Sequence, residues 1–241
     1  MVDTGRFLWV VFLACLIVEI ALVYLDLTVN WWRWSDSGAI RRLFNTTRED
    51  GLASWFMVSQ TLLAALAAWT VFAVVSRQRA ALVRRLGWLL VAAFFSYMCL
   101  DDGALVHERI GTAVKSGGGI GGYPSYAWQY VLLPFFALMG AFVLYFLWKE
   151  MPWPAARARV AGAIACFVLA VGMDFVEGLD EGYRWLTGAT GWRADTVRHF
   201  SKSLEEFIEM VGMSLFLVTF IGHLARVAPR IRIRFQDAGR A

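Results

Sequence analysis

The chain has 241 residues, 59% hydrophobic and 17% charged, with 12 Trp and 18 Phe. Soluble domains carry about 45–50% apolar and about 25% charged residues, so an ordinary water-soluble globule is excluded and a membrane protein is indicated. The formal net charge of +4 sits in a few short arginine-rich loops, which reads as topology and not as a nucleic-acid-binding surface.

The N-terminal stretch "MVDTGRFLWVVFLACLIVEIALVYL" is a long apolar run with no small-residue cleavage site after it. It reads as a retained first span and not as a signal peptide. Glu19 lies inside it, a functional candidate or a partner for a polar group on a neighbouring span. The stretch 39–56, "AIRRLFNTTREDGLASWF", sets Ile40, Leu43 and Phe44 against Arg41 and Arg42, the pattern of a short amphipathic segment on the membrane surface. Its "TREDGLASW" offers an N-cap threonine and acids for the first turn of the next helix.

Six apolar segments follow one another at about 7–27, 53–75, 86–108, 128–148, 158–179 and 203–225. Each is near the roughly 20 residues that cross a bilayer. The fold class expected is therefore all-α: a polytopic bundle of about six transmembrane helices, with 1–241 as one transmembrane domain. Pro134 is expected to kink the fourth span.

The loops "SRQRAALVRR" (76–85) and "KEMPWPAAR" (149–157) and the tail 226–241 are basic and share one side of a six-span chain. The positive-inside rule makes that side cytoplasmic, so both termini are expected inside. The loops 28–52, 109–127 and 180–202 lie opposite, and Trp31, Trp32, Trp34, Trp128, Trp185 and Trp192 suit an interfacial aromatic belt on that side. The tract "SGGGIGGYP" (116–124) lacks the Lys-Ser/Thr of a phosphate loop. Cys15, Cys99 and Cys166 fall within apolar runs and read as packing residues, not as a disulfide or zinc framework.

The acids are concentrated at one end. Asp101, Asp102 and Glu108 close the third span with His107. Asp174, Glu177, Asp180 and Glu181 close the fifth. His199, Glu205, Glu206 and Glu209 open the sixth. At 1.5 Å per residue, Asp101, Asp174 and Glu209 lie on the order of 10 Å inside their helix ends. On a continuous helix, Asp101 and Glu108 share a face, as do Glu205 and Glu209. A carboxylate costs roughly 2.5–3.5 kcal/mol at mid-span, so cations, basic partners, protons or water must offset the cluster. Arg109, Arg184, Arg198 and Lys202 are near enough in sequence to pair with it.

Asp, Glu and His on facing helices also build oxygen-rich metal sites, though no Glu-x-x-His is present. Such a site would take Asp101, His107, Glu108, Asp174, Glu177, Glu205 and Glu209 as ligands of a divalent ion. Asp102, Glu206 and His199 would support them by hydrogen bonds. Fe, Zn, Mn and Ca are not distinguished by these ligands. Met173, Met210 and Met213 read as core packing. No nucleotide loop, haem ligand pair or catalytic triad is visible, so no catalytic residue is assigned.

"LDDGALVHERIG" (100–111) resembles the Leu-Asp-Glu/Asp…His-Glu motif of a family of uncharacterised bacterial multi-span membrane proteins. "LEEFIEMVG" (204–212) resembles that family's Glu-Glu-x-x-Glu-Met motif. "LFNTTREDGLASWF" (43–56) is similar to its approach to span two, with Ala53 in place of a proline and Asp102 where glutamate is usual. The resemblance implies a bacterial inner membrane and a shared acidic site. It implies no activity.

Two functional expectations follow. One is a metal-dependent oxidoreductase or hydrolase acting on a lipid-phase substrate. The other is a non-enzymatic subunit that stabilises a larger membrane complex, such as a respiratory or photosynthetic one, through partner membrane subunits. A proton pathway fits least, because the opposite half of spans three to six is nearly free of carboxylates. The lipid bilayer is the expected surrounding in each case.

Overall fold

The computed structural model describes residues 3–116, 127–178 and 183–230. Among them all regular structure is helical: α1 (Thr4–Asp26), α2 (Gly38–Phe44), α3 (Leu52–Arg77), α4 (Leu82–Ala104), α5 (Val106–Ser116), α6 (Ala127–Glu150), α7 (Pro154–Gly178), α8 (Arg184–Thr190) and α9 (Ala194–Val227). Six helices are long and apolar enough to cross a membrane, and they match the six expected spans. A multi-pass membrane protein is the reading these helices support. The tract 117–124, Asp180, Glu181 and the tail beyond 230 lie outside the described residues.

The helix α9 is the centre of the bundle. Of its apolar window 61% is buried, against 6% for α1. Its 34 residues extend about 51 Å, well past a hydrocarbon core of about 30 Å. The excess gives its first turns room to reach the polar zone. Phe216 and Phe220 of α9 meet Phe95 of α4 edge to face at 5.0 and 4.9 Å. On α3 the small, buried Ala64, Ala65 and Ala68 let backbones approach closely.

The start of α1 and the end of α9 lie together at the arginine-rich end, where a Cβ added at Gly222 would come 2.9 Å from Leu8. Gln78 Nε2 donates to the Val227 carbonyl at 3.0 Å. Arg84 Nε donates to Glu150 Oε1 at 2.6 Å, and the buried His223 stacks on Trp88 at 5.0 Å. The acidic residues gather at the opposite end.

The third span departs from expectation. It is not one helix over 86–108. It breaks at Leu105, which takes a left-handed conformation (φ 55°, ψ 42°), and α5 then fills a stretch expected to be loop. The face shared by Asp101 and Glu108 on a continuous helix is therefore lost. α9 starts nine residues earlier than the 203 expected, and α8 occupies part of the 180–202 loop. The cap of α3 is Gly51 and not a threonine, so Glu49 and Asp50 precede the helix. The helix α6 continues through Pro134. The amphipathic segment is present as α2, with Ile40 and Leu43 exposed. Trp31, Trp32, Trp34, Trp185 and Trp192 are exposed as a belt requires, but Trp128 is buried, at 8% exposure, between α5 and α6.

The joint between α5 and α6 is tight at Gly111, where an added Cβ would lie 2.8 Å from the Trp128 amide nitrogen. Backbone cannot yield as a side-chain tip does. Gly111→Ala should lower the melting temperature of the purified protein by the equivalent of about 1–3 kcal/mol. Gly103→Ala, whose Cβ would meet Val58 at an ordinary 3.8 Å, should leave it unchanged or raise it slightly. Equal melting of both variants would refute the tight joint.

Candidate functional site

The break after Ala104 places the first half of the site. Because α4 stops there, the chain turns and α5 begins within reach of the Asp101 carboxylate. The His107 backbone N–H donates to Asp101 Oδ1 at 2.9 Å, and His107 Nδ1 lies 2.8 Å from Oδ2. Asp101 thus caps α5 and fixes the imidazole together. The ring edge of His107 also meets Trp128 at 4.8 Å. Burial pulls the His107 pKa down, but the hydrogen bond and charge of Asp101 outweigh it, and the net shift is upward. Asp102, one residue on, accepts from Thr61 Oγ1 of α3 at 3.1 Å.

The second half is built by α9 and α7 around one cation. Lys202 Nζ lies 2.7 Å from Glu205, 3.7 Å from Glu206 and 3.8 Å from Asp174. Gln129 of α6 donates to Asp174 at 2.8 Å. Glu205 is 2% exposed; its Oε1 takes the lysine, while its Oε2 is buried without a partner. A buried oxygen left without a hydrogen-bond partner is costly.

Glu49 enters from the loop before α3. Thr46 pins that loop by donating to Asp26 Oδ2 at 2.9 Å. Arg48 and Arg42 clamp Asp50 and hold its carboxyl well below the usual carboxylate range. Glu49 is left to face Glu108. Burial, then the hydrogen bond and charge of Glu108, push its pKa up to about 8. Glu49 is therefore held toward its neutral, protonated form.

These groups form one end of a cavity of about 470 Å³ bounded by α4, α6, α7 and α9. Among the described residues eight carboxyl groups line it: Glu49, Asp101, Asp102, Glu108, Asp174, Glu205, Glu206 and Glu209. Lys202 and His107 are its basic groups there. The rest of the wall is apolar, including Phe94, Phe136, Leu144, Phe167 and Val171. At Gly87, α4 packs directly against the Phe146 ring of α6. Toward the acidic end they touch through long rings, Phe94 to Phe136 at 6.4 Å and Tyr97 to Phe135 at 5.8 Å. The cavity opens sideways, since Val168 and Leu133 line it and remain 68% and 38% exposed. A second, polar hollow of about 310 Å³ adjoins it and shares Glu49, Glu108 and Lys202.

Of the residues expected as metal ligands, Asp101, His107, Glu108, Asp174, Glu205 and Glu209 line the main cavity, as do Asp102 and Glu206. Glu177 faces the outer hollow instead, with Arg198 Nε at 4.0 Å. His199 points elsewhere too: its Nε2 lies 3.1 Å from Asp26 Oδ2. Among the described residues, no three His, Cys, Asp or Glu side chains converge as the shell of one ion. The Lys202 ammonium stands between three of these carboxylates. The reading from sequence missed Glu49 and the placement of Trp128 and Gln129. The acid-rich "TRED" next to an apolar run was the available signal for Glu49.

Two further buried networks lie apart from the cavity. Glu19, fully buried, accepts from Gln60 at 2.9 Å and Ser214 at 2.7 Å. Asp26, also fully buried, accepts from Thr46, Ser203 and Asn30. Both tie α1 to α9 and satisfy the expectation that Glu19 pairs with a neighbouring span.

Two outcomes are expected. An acid with a raised folded-state pKa loses stabilisation as pH climbs from 4.5 through about 8, as for Glu49. A histidine with a raised pKa likewise contributes stability at low pH that is lost as pH rises through the folded value, as for His107. Melting temperature should therefore fall between about pH 5 and about pH 9, and Glu49→Gln should flatten that slope. A slope unchanged in the variant would contradict the raised Glu49 pKa. Separately, Lys202→Met should destabilise by about 3–5 kcal/mol in denaturant titrations, because it strands buried carboxylates. Adding Glu205→Gln should recover part of the loss, and an additive double variant would show that the two do not interact.

No curated protein and no solved structure matches the chain. A family model described as a domain of unknown function, DUF8692, matches residues 8–224. This chain, whose buried acids meet one lysine beside an apolar cavity, belongs to the DUF8692 family.

Proposed function

We propose that this protein is an integral membrane protein that binds an amphiphilic molecule from the lipid phase. The apolar part of the ligand lies between α6 and α7, and its polar head reaches the carboxylate–lysine–histidine end. The observation that carries this reading is the shape and lining of one cavity: apolar along most of its length, charged at one end, and open sideways toward the lipid-facing surface. Its volume of about 470 Å³ falls within the roughly 300–1,000 Å³ of small-molecule sites.

Proton transfer is the chemistry the polar end supports. Two positive groups cannot balance eight carboxylates in a low-dielectric site, so protons or a ligand's charge neutralise the remainder. Glu205 and Glu209 border the apolar part, where the reacting atoms of a head group would sit. The outer hollow gives water or a polar reactant a separate approach. On this reading the basic loops lie in the cytoplasm, and the acidic end faces the opposite side of a bacterial inner membrane.

The test is extraction and mass spectrometry of lipids that remain with the purified protein. Wild type should retain an amphiphile near one per chain, and Gly140→Trp should lose it while keeping its melting temperature. Identical lipid content in both would refute the reading. Stoichiometric metal that survives chelation in wild type and vanishes in Glu205→Gln would instead support a metal-dependent site.

A further inference from the structure

The charge imbalance and one orphaned oxygen select among amphiphiles. We propose that the cavity prefers a ligand whose head is a protonated amine on a single long apolar chain. This rests on the amphiphile-binding reading above and names the ligand class for the same site.

Three observations converge on it. The first is sign. Lys202 is already set among Asp174, Glu205 and Glu206, and His107 is held by Asp101. No other cation lines the cavity among the described residues, so a phosphate or carboxylate head would face carboxylates without a counter-charge. A positive head would gain from the same surplus.

The second is hydrogen bonding. Glu205 Oε2 is buried without a partner, and the residue lines the cavity at 2% exposure. An ammonium N–H satisfies that acceptor. A quaternary nitrogen supplies charge but no donor. Trp128 and Phe136, whose rings lie 6.1 Å apart, line the same cavity, and an aromatic face attracts a cation and not an anion.

The third is the space for the chain. On α6 the apolar lining beyond Trp128 runs from Leu133 to Leu144, a rise of about 16 Å, close to an extended dodecyl chain. Ala137, Gly140 and Ala141 leave the middle of that wall low, and a Cβ added at Gly140 would meet nothing within 4 Å. Aromatic rings close the opposite side. The slot has room for one chain passing the small residues.

Competition measured by native mass spectrometry separates the possibilities, with the full-length protein in neutral maltoside micelles. The probes are dodecylamine, dodecyltrimethylammonium, dodecanol and dodecyl phosphate at equal concentration. The expected order of occupancy is amine, then trimethylammonium, then alcohol, then phosphate, with amine over phosphate by about tenfold or more. Glu205→Gln should reduce the preference for amine over alcohol. Equal occupancy by amine and phosphate, or preference for phosphate, would overturn the charge selection while leaving the amphiphile reading intact. Binding of none of the four would overturn both. The wild-type comparison needs no variant, so a poorly folding Glu205→Gln does not blunt the test.

Discussion

The Lys202 ammonium is the charge on which the acidic end depends. It lies 2.7 Å from Glu205 and within 3.8 Å of Glu206 and Asp174. Two of these carboxylates come from its own helix and one from α7, so the cation joins α7 to α9 as well as neutralising them. The ion pairs do not close the account. Eight carboxyl groups share the cavity with two positive groups, and Glu205 keeps one oxygen unpaired. A bundle built only for stability would replace such groups with apolar ones at little cost or with gain. Their retention beside an open apolar slot is the physical basis for reading the cavity as a binding site.

The other polar groups divide the labour. Glu19 with Gln60 and Ser214, and Asp26 with Thr46 and Ser203, bond across helices and fix α1 on α9. Each lets an acid sit inside the bundle by supplying donors. Glu150 does the same at the arginine-rich end, between Arg84 and Trp88. With those contacts made, α6 is free to stand away from α4, and the cavity persists between them. The Arg42–Asp50–Arg48 clamp and the Thr46 bond bring Glu49 over the polar end, where it meets Glu108.

Much of this was legible in the residues. Apolar run length sets the number of spans, and six runs became six helices. The gathering of Asp101, Asp174, Glu205 and Glu209 at one end followed from antiparallel connection alone. The break at Leu105 did not, because a leucine at positive φ leaves no sequence signal; the capping of α5 by Asp101 makes that turn. Helical spacing therefore misjudged how Asp101 and Glu108 relate. His199 was drawn to Asp26 by a partner 173 positions earlier, a pairing that no local pattern encodes. Trp128 read as interfacial by its place at the start of a span, yet the close approach at Gly111 buries it. Lys202 was visible as a pairing candidate; its position amid three acids needed the helix packing.

The central claim is that an amphiphile's chain fills the slot and its head meets the carboxylates, with Lys202 as the resident cation. A cryo-electron microscopy map of the protein in native-lipid nanodiscs tests it most directly. The account predicts elongated density from Glu205 along Gly140 toward Leu144, with the Lys202 side chain among Asp174, Glu205 and Glu206. A collapsed slot without density, or a compact peak between those carboxylates with Lys202 turned away, would contradict it.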